Sequence, residues 1–116
     1  MKVIHFQDVE YKAFEGENVK EVKGRVLIGK ADGAPHFCMR FFELAPGGFT
    51  PRHQHDWEHE IFIHKGHGVA LKEGKWVPVE SGVAIFVPGG EEHQIRNTGS
   101  EPLLFVCLIP SGPPEL

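Results

Sequence analysis

At 116 residues the chain fits one domain, residues 1–116, with a single core. Twelve basic against sixteen acidic residues give a net charge of −4 with no basic cluster, which sets nucleic acid aside as a partner. No apolar run is long enough to span a bilayer, and the opening MKVIHFQDVEYK lacks the apolar core of a signal peptide, so a cytoplasmic protein with no membrane partner is expected.

No stretch carries sustained helical periodicity between caps. Fourteen glycines and nine prolines instead punctuate short apolar runs, the pattern of an all-β sandwich or barrel of roughly ten strands. Residues 2–6, KVIHF, read as a first strand or edge arm with His5 at the surface. Residues 7–23 show no clear organisation. GRVLIG, 24–29, reads as a strand, followed by a turn over 31–35 signalled by Asp32-Gly33. The next strand, 36–45, begins with His36 at its rim. It places Arg40 on one face with Cys38 and Phe42. An inward charge is costly unless paired, so an outward Arg40 is expected.

Pro46-Gly47-Gly48 reads as a turn. Residues 59–65, HEIFIHK, alternate, with His59, Ile61 and Ile63 on one face and Glu60, Phe62 and His64 on the other. Residues 69–79 form two strands around the hairpin signal Glu73-Gly74, with Trp76 as a packing residue. VAIFV, 83–87, reads as a fully buried strand. Pro88-Gly89-Gly90 is a tight turn, and NTGSE, 97–101, another. LLFVCLI, 103–109, reads as a strand buried on both faces, one of which carries Leu103, Phe105, Cys107 and Ile109. The tail PSGPPEL cannot continue a central strand and is either frayed or docked. Cys38 and Cys107 read as small buried thiols.

Half of the eight histidines fall in two short segments, GGFTPRHQHDWEHEIFIHKG (47–66) and GVAIFVPGGEEHQIRN (82–97). Imidazole is the commonest metal ligand. Strand alternation puts His53 and His55 on one face, and His59 joins them if the strand continues without a bulge through Asp56 and Trp57. His93 then arrives from a neighbouring strand. One H-x-H pair alone would be an ordinary polar strand face; four histidines at these spacings point to a metal site.

The two segments resemble the paired motifs of the cupins. The first matches at Gly47, His53, His55 and Gly66, with His59 standing where the family has a glutamate. The second matches without a gap at Gly82, Pro88, Gly90, His93 and Asn97. Counting six residues on from His59 reaches Gly66, whereas counting from Glu60 reaches His67. The register therefore favours His59 as the fourth ligand, with Glu60 as the competing assignment. The resemblance implies a double-stranded β-helix, or jelly-roll, barrel. It also implies a divalent ion on His53, His55, His59 and His93: manganese first, then iron, zinc, nickel or copper.

Four neutral ligands leave the full charge on the ion, making it a stronger Lewis acid than a site with a carboxylate. Ile61, Phe105, Cys107 and Ile109 are the expected pocket walls. No nucleophile or acid–base dyad accompanies the histidines. The resemblance supports a metal-dependent oxidoreductase, dioxygenase-like, acting on a small organic substrate. Alternatives are a Lewis-acid isomerase or polyketide-cyclase-like cupin, and a non-catalytic small-ligand binding module. A homodimer is expected through Glu60, Phe62, His64 and the N-terminal strand. Protons should compete with the metal for the histidines, and the metal-free protein, its histidines free to protonate in both states, should show much less dependence of stability on pH than the loaded one.

Overall fold

Glycine and proline cut the chain into apolar runs too brief for a helix face, and these runs fold as strands. The computed structural model describes all 116 residues. Its strands are β1 (Lys12–Gly16), β2 (Val19–Ile28), β3 (Phe37–Phe49), β4 (His59–Lys65), β5 (His67–Lys72), β6 (Lys75–Glu80), β7 (Ala84–Val87), β8 (Ile95–Asn97) and β9 (Leu103–Pro110). Every ladder is antiparallel. The sheet runs β6-β5-β8-β3-β9-β4-β7, with β2 also on β3 and β1 on β2, and curls into the jelly-roll barrel. No helix is long and apolar enough to cross a membrane.

The hinge of the barrel is β3. It pairs with β2 and β9 along its first half and reaches β8 at Phe49. The expected turn at Pro46-Gly47-Gly48 is a bend within this strand. Gly47 takes φ +81°, open to glycine at little cost, and a Cβ on Gly48 would lie 2.9 Å from the carbonyl oxygens of Ala45 and Lys20.

Alternation then stacks the interior in layers. Leu44 lies opposite Leu103, Phe42 opposite Phe105, Arg40 opposite Cys107 and Cys38 opposite Ile109. Along β4, Ile63 and Ile61 face the same space beside Phe105 and Cys107. Leu44, Ile63 and Leu103 are wholly buried. Asn97 closes this end: its Nδ2 donates to the carbonyls of Leu44 (2.9 Å) and Glu101 (2.8 Å), and its Oδ1 accepts from the Gly99 N–H (2.9 Å).

Several expectations change. The N-terminal segment is not a strand. It makes one 3-10 turn at Phe6–Asp8, stacks Phe6 on Phe41 at 4.2 Å, and pairs Lys2 with Asp32 at 2.8 Å. It therefore covers the outer face of its own sheet. Residues 12–28 form the β1–β2 hairpin, which the polar composition hid. VAIFV is not buried: β7 pairs with β4 alone, nothing covers its outer face, and Phe86 is 61% exposed. For the same reason β9 is buried on one face only. Trp76 is exposed, with the Arg96 guanidinium 5.5 Å from its ring centroid. The tail is docked, the Glu115 carboxylate accepting from the Lys30 N–H at 2.9 Å. Cys38 and Cys107 are buried free thiols.

Candidate metal centre

The four histidines converge at one end of the barrel. Their ligating atoms all lie within 4.8 Å of one another. Two backbone hydrogen bonds join the motifs directly: His93 N–H to His53 O at 2.9 Å, and His53 N–H to His93 O at 3.3 Å. This bridge sets their rings side by side, 4.7 Å between centroids. His59, the first residue of β4, is buried at the floor of the cluster, and His53 is exposed at its mouth. The chain does not reach His59 as an unbroken strand. It bends at Asp56–Trp57, and the bend packs under Gly89, where any Cβ would collide with the Asp56 carbonyl. Glu60 and Glu58 are exposed, and Glu60 lies on the outer face of β4, so the cluster takes His59 and not the competing Glu60.

The outer nitrogen of two rings fixes what the inner one offers. His55 Nδ1 lies 2.9 Å from the Trp57 carbonyl, and His93 Nδ1 lies 2.9 Å from the Glu91 carbonyl. A carbonyl only accepts, so each Nδ1 carries the proton and each Nε2 presents a lone pair. The Trp57 indole stacks on His55 at 4.1 Å and 9°, holding that ring in plane. His59 Nδ1 lies 3.2 Å from both Cys107 Sγ and Arg40 Nη2; the guanidinium only donates, so Nδ1 accepts there and the metal-free ring carries its proton on Nε2.

The Nε2 atoms of His55 and His59 are 2.8 Å apart, with the His59 Nε2–H donating to the His55 lone pair, and the buried His93 Nε2 has no hydrogen-bond partner. An unsatisfied buried nitrogen costs about 1–3 kcal/mol. A divalent cation among these atoms would take up the His93 lone pair and replace the single proton shared between His55 and His59, so the donor set fits a metal ion.

Burial, aided by neighbouring groups, lowers the proton affinity of His53, His59 and His93. Desolvation first, then His93, His55 and Arg40, pushes His53 down to about 4. Desolvation first, then Arg40 and the other rings, pushes His59 down to about 3. His93 is lowered as well, chiefly by burial. Neutral imidazole is the metal-binding form. The metal-free protein should therefore be acid-sensitive in its own right, contrary to the expectation of free titration, because a buried ring resists the proton whether or not an ion is present.

The cluster opens into a cavity of about 260 Å³. Ile61, Phe105 and Cys107 line it. Ile109 is buried but lies outside the lining, one layer further along β9. Arg40 corrects the outward expectation: it is buried, faces this cavity, and donates from Nη2 to Cys107 Sγ at 3.0 Å. Pro114 and Leu116 of the docked tail complete the wall.

The family described as "Cupin domain" matches residues 40–109. The chain is a cupin. It superposes on the polyketide cyclase RemF from Streptomyces resistomycificus with a TM-score of 0.90 and 36% identity, over 98% of this chain and 82% of that one. It is 38% identical over 100 residues to an oxalate-binding protein of Thermotoga maritima, covering 79% of this chain and 81% of the relative. It is 35% identical over 71 residues to a glucose-6-phosphate isomerase of Thermococcus onnurineus, of whose length it spans 38%.

In this cupin, sequence reasoning missed four residues around the histidines. Trp57 was seen only as a possible interruption of a strand, although an aromatic two positions after a histidine in a bend is well placed to stack on it. Arg40 was turned outward on a general cost argument. Pro114 and Leu116 carried no signal, because a proline-rich tail has no periodicity.

Proposed function

We propose that this cupin holds one divalent metal ion on His53, His55, His59 and His93 and acts as a Lewis acid on a small organic substrate, in the manner of a cyclase or isomerase. The observation that carries this is the donor set: four imidazoles converging on a largely apolar cavity with no acid–base pair beside them. Such an ion supplies Lewis acidity undiminished by an anionic ligand. The chain's residues do the rest. Trp57 and the Glu91 carbonyl hold the rings of His55 and His93, Cys107 holds His59, and the phenyl and alkyl walls exclude water from bound substrate.

Similarity to a polyketide cyclase over nearly the whole chain supports the Lewis-acid reading over the oxidoreductase placed first from sequence. Similarity to an oxalate-binding protein supports a second reading, a module that binds its ligand without turning it over. The test is elemental analysis of protein purified without added metal, followed by oxygen-electrode measurements on the loaded protein. Zinc with no oxygen uptake is expected. Iron or manganese with substrate-dependent oxygen consumption would return the oxidoreductase.

We also propose that two copies pair through the outer face of β4 and β7, where Phe62 and Phe86 are 52% and 61% exposed. Light scattering should give a dimer that Phe62→Glu dissociates; a monomeric wild type would refute the pairing.

A further inference from the structure

The chain buries two arginines, Arg25 and Arg40, to nearly the same degree, 8% and 9% exposed. Arg25 is satisfied within the chain. Its Nη1 pairs with Glu43 at 3.3 Å, its Nε donates to the Val9 carbonyl at 3.0 Å, and the Phe6 and Tyr11 rings flank it. Arg40 has no carboxylate. The ion pairs of the molecule are Lys2–Asp32, Arg25–Glu43 and Arg52–Glu92. Arg40 Nε has no acceptor, Nη1 reaches only the Glu115 carbonyl at 3.5 Å, Nη2 meets the neutral Cys107 sulfur at 3.0 Å and the neutral His59 Nδ1 at 3.2 Å, and the Phe42 ring centroid lies 4.9 Å from the guanidinium.

A guanidinium does not give up its proton, and a buried charge is stable only when something opposite neutralises it. A thiol sulfur is a weak acceptor and does not take that part. Arg40 lines the cavity of the four histidines, and its Nη2 lies 3.2 Å from His59 Nδ1. A cation and four neutral metal ligands therefore share one cavity with no acidic side chain in its lining.

We propose that Arg40 is the anion-recognising residue of this cavity and that the ligand is a small carboxylate carried on an apolar body. The assignment deepens the metal-site reading and rests on this cavity being where that chemistry occurs. A planar carboxylate matches the guanidinium fork. The apolar body follows from the remaining walls. The one hydroxyl in the lining, Thr50, already accepts from the Ile95 N–H at 2.9 Å and donates to the Ile95 carbonyl at 3.5 Å. A polyhydroxylated ligand would leave its hydroxyls unpaired among Phe14, Phe42, Ile61, Ile95 and Phe105, and such a mismatch is strongly selected against by a desolvated site.

The test uses zinc-loaded protein of measured metal content, titrated calorimetrically with benzoate and with its neutral analogue benzamide. Benzoate should bind at least about tenfold tighter. Arg40→Met should remove about tenfold or more of the benzoate affinity, leaving benzamide binding and zinc content unchanged. Equal benzoate affinity in Arg40→Met and wild type overturns the proposal. Should Arg40→Met not fold, the wild-type Arg40 Nε–H resonance gives the same answer. It should shift on adding benzoate and stay put with benzamide; a resonance unmoved by benzoate overturns the proposal.

Repeating the titrations on chelated protein separates the two readings. Arg40-dependent benzoate binding in a protein that takes up no zinc would sink the metal reading and keep this one. Full zinc occupancy with Arg40-independent benzoate binding would do the reverse.

Discussion

The barrel interior has two ends built by the same strands to opposite purposes. On β3, β4 and β9, alternation that supplies Leu44, Ile63 and Leu103 at one end supplies Arg40, His59 and Cys107 at the other. The first end is dry and closed by Asn97. The second gathers a buried cation, two imidazole nitrogens 2.8 Å apart and an unpartnered His93 Nε2. Apolar burial at the closed end holds the fold together, and that stability lets the open end keep polar groups unsatisfied until metal and ligand arrive. What distinguishes the ends is residue choice at inward positions, since the backbone scaffold is shared.

The sharpest way to break this division is to damage the closed end. Leu103→Ala should cost about 2–5 kcal/mol in denaturant unfolding, as for other wholly buried leucines, while the surviving folded protein still binds metal. A loss below about 1 kcal/mol would mean the closed end is not the stabilising core. Stripping the metal acts at the open end. Chelation should lower stability by about 2.7 kcal/mol relative to protein with free metal at a hundredfold excess over its dissociation constant. A melting temperature indifferent to chelation would contradict a metal held by the folded state. Asn97→Ala, which leaves the Leu44 and Glu101 carbonyls without their donor, should cost about 1–3 kcal/mol and leave metal affinity unchanged. Lost metal affinity there would show the two ends to be coupled.

Acidification gives the most selective effect. In the fold His53 and His59 are held at about 4 and about 3, against 6.5 ordinarily. As pH falls through 6.5 the unfolded chain takes up protons before the folded one, so stability present at neutral pH drains between about 6.5 and about 3. Melting of chelated protein should therefore decline over that window. The metal-loaded protein should decline more steeply as protons displace the ion. A flat chelated curve would show that burial does not keep these rings neutral.

The closed end was legible in the sequence and the open end only partly so. The inward sets on β4 and β9 follow from period-two alternation. The two gapped motifs located all four histidines because their glycines and prolines fix where the chain turns. Alternation also placed Arg40 with Cys38 and Phe42, and only the cost of burying a charge turned it outward; the compensating contacts with Cys107 and the tail come from residues far along the chain. VAIFV misled for the converse reason. Apolar composition speaks to burial on average, whereas β7 is an edge strand whose cover would have to come from outside the chain.

Central to this account is a single metal ion on four histidines, and metal content measured residue by residue tests it most directly. Wild type, Glu60→Ala and the alanine variants of His53, His55, His59 and His93, each confirmed folded by circular dichroism, would be analysed by mass spectrometry of the bound elements. Roughly one ion per chain is predicted for wild type and Glu60→Ala, with a sharp loss in each histidine variant. Full occupancy in His59→Ala together with loss in Glu60→Ala would contradict the account.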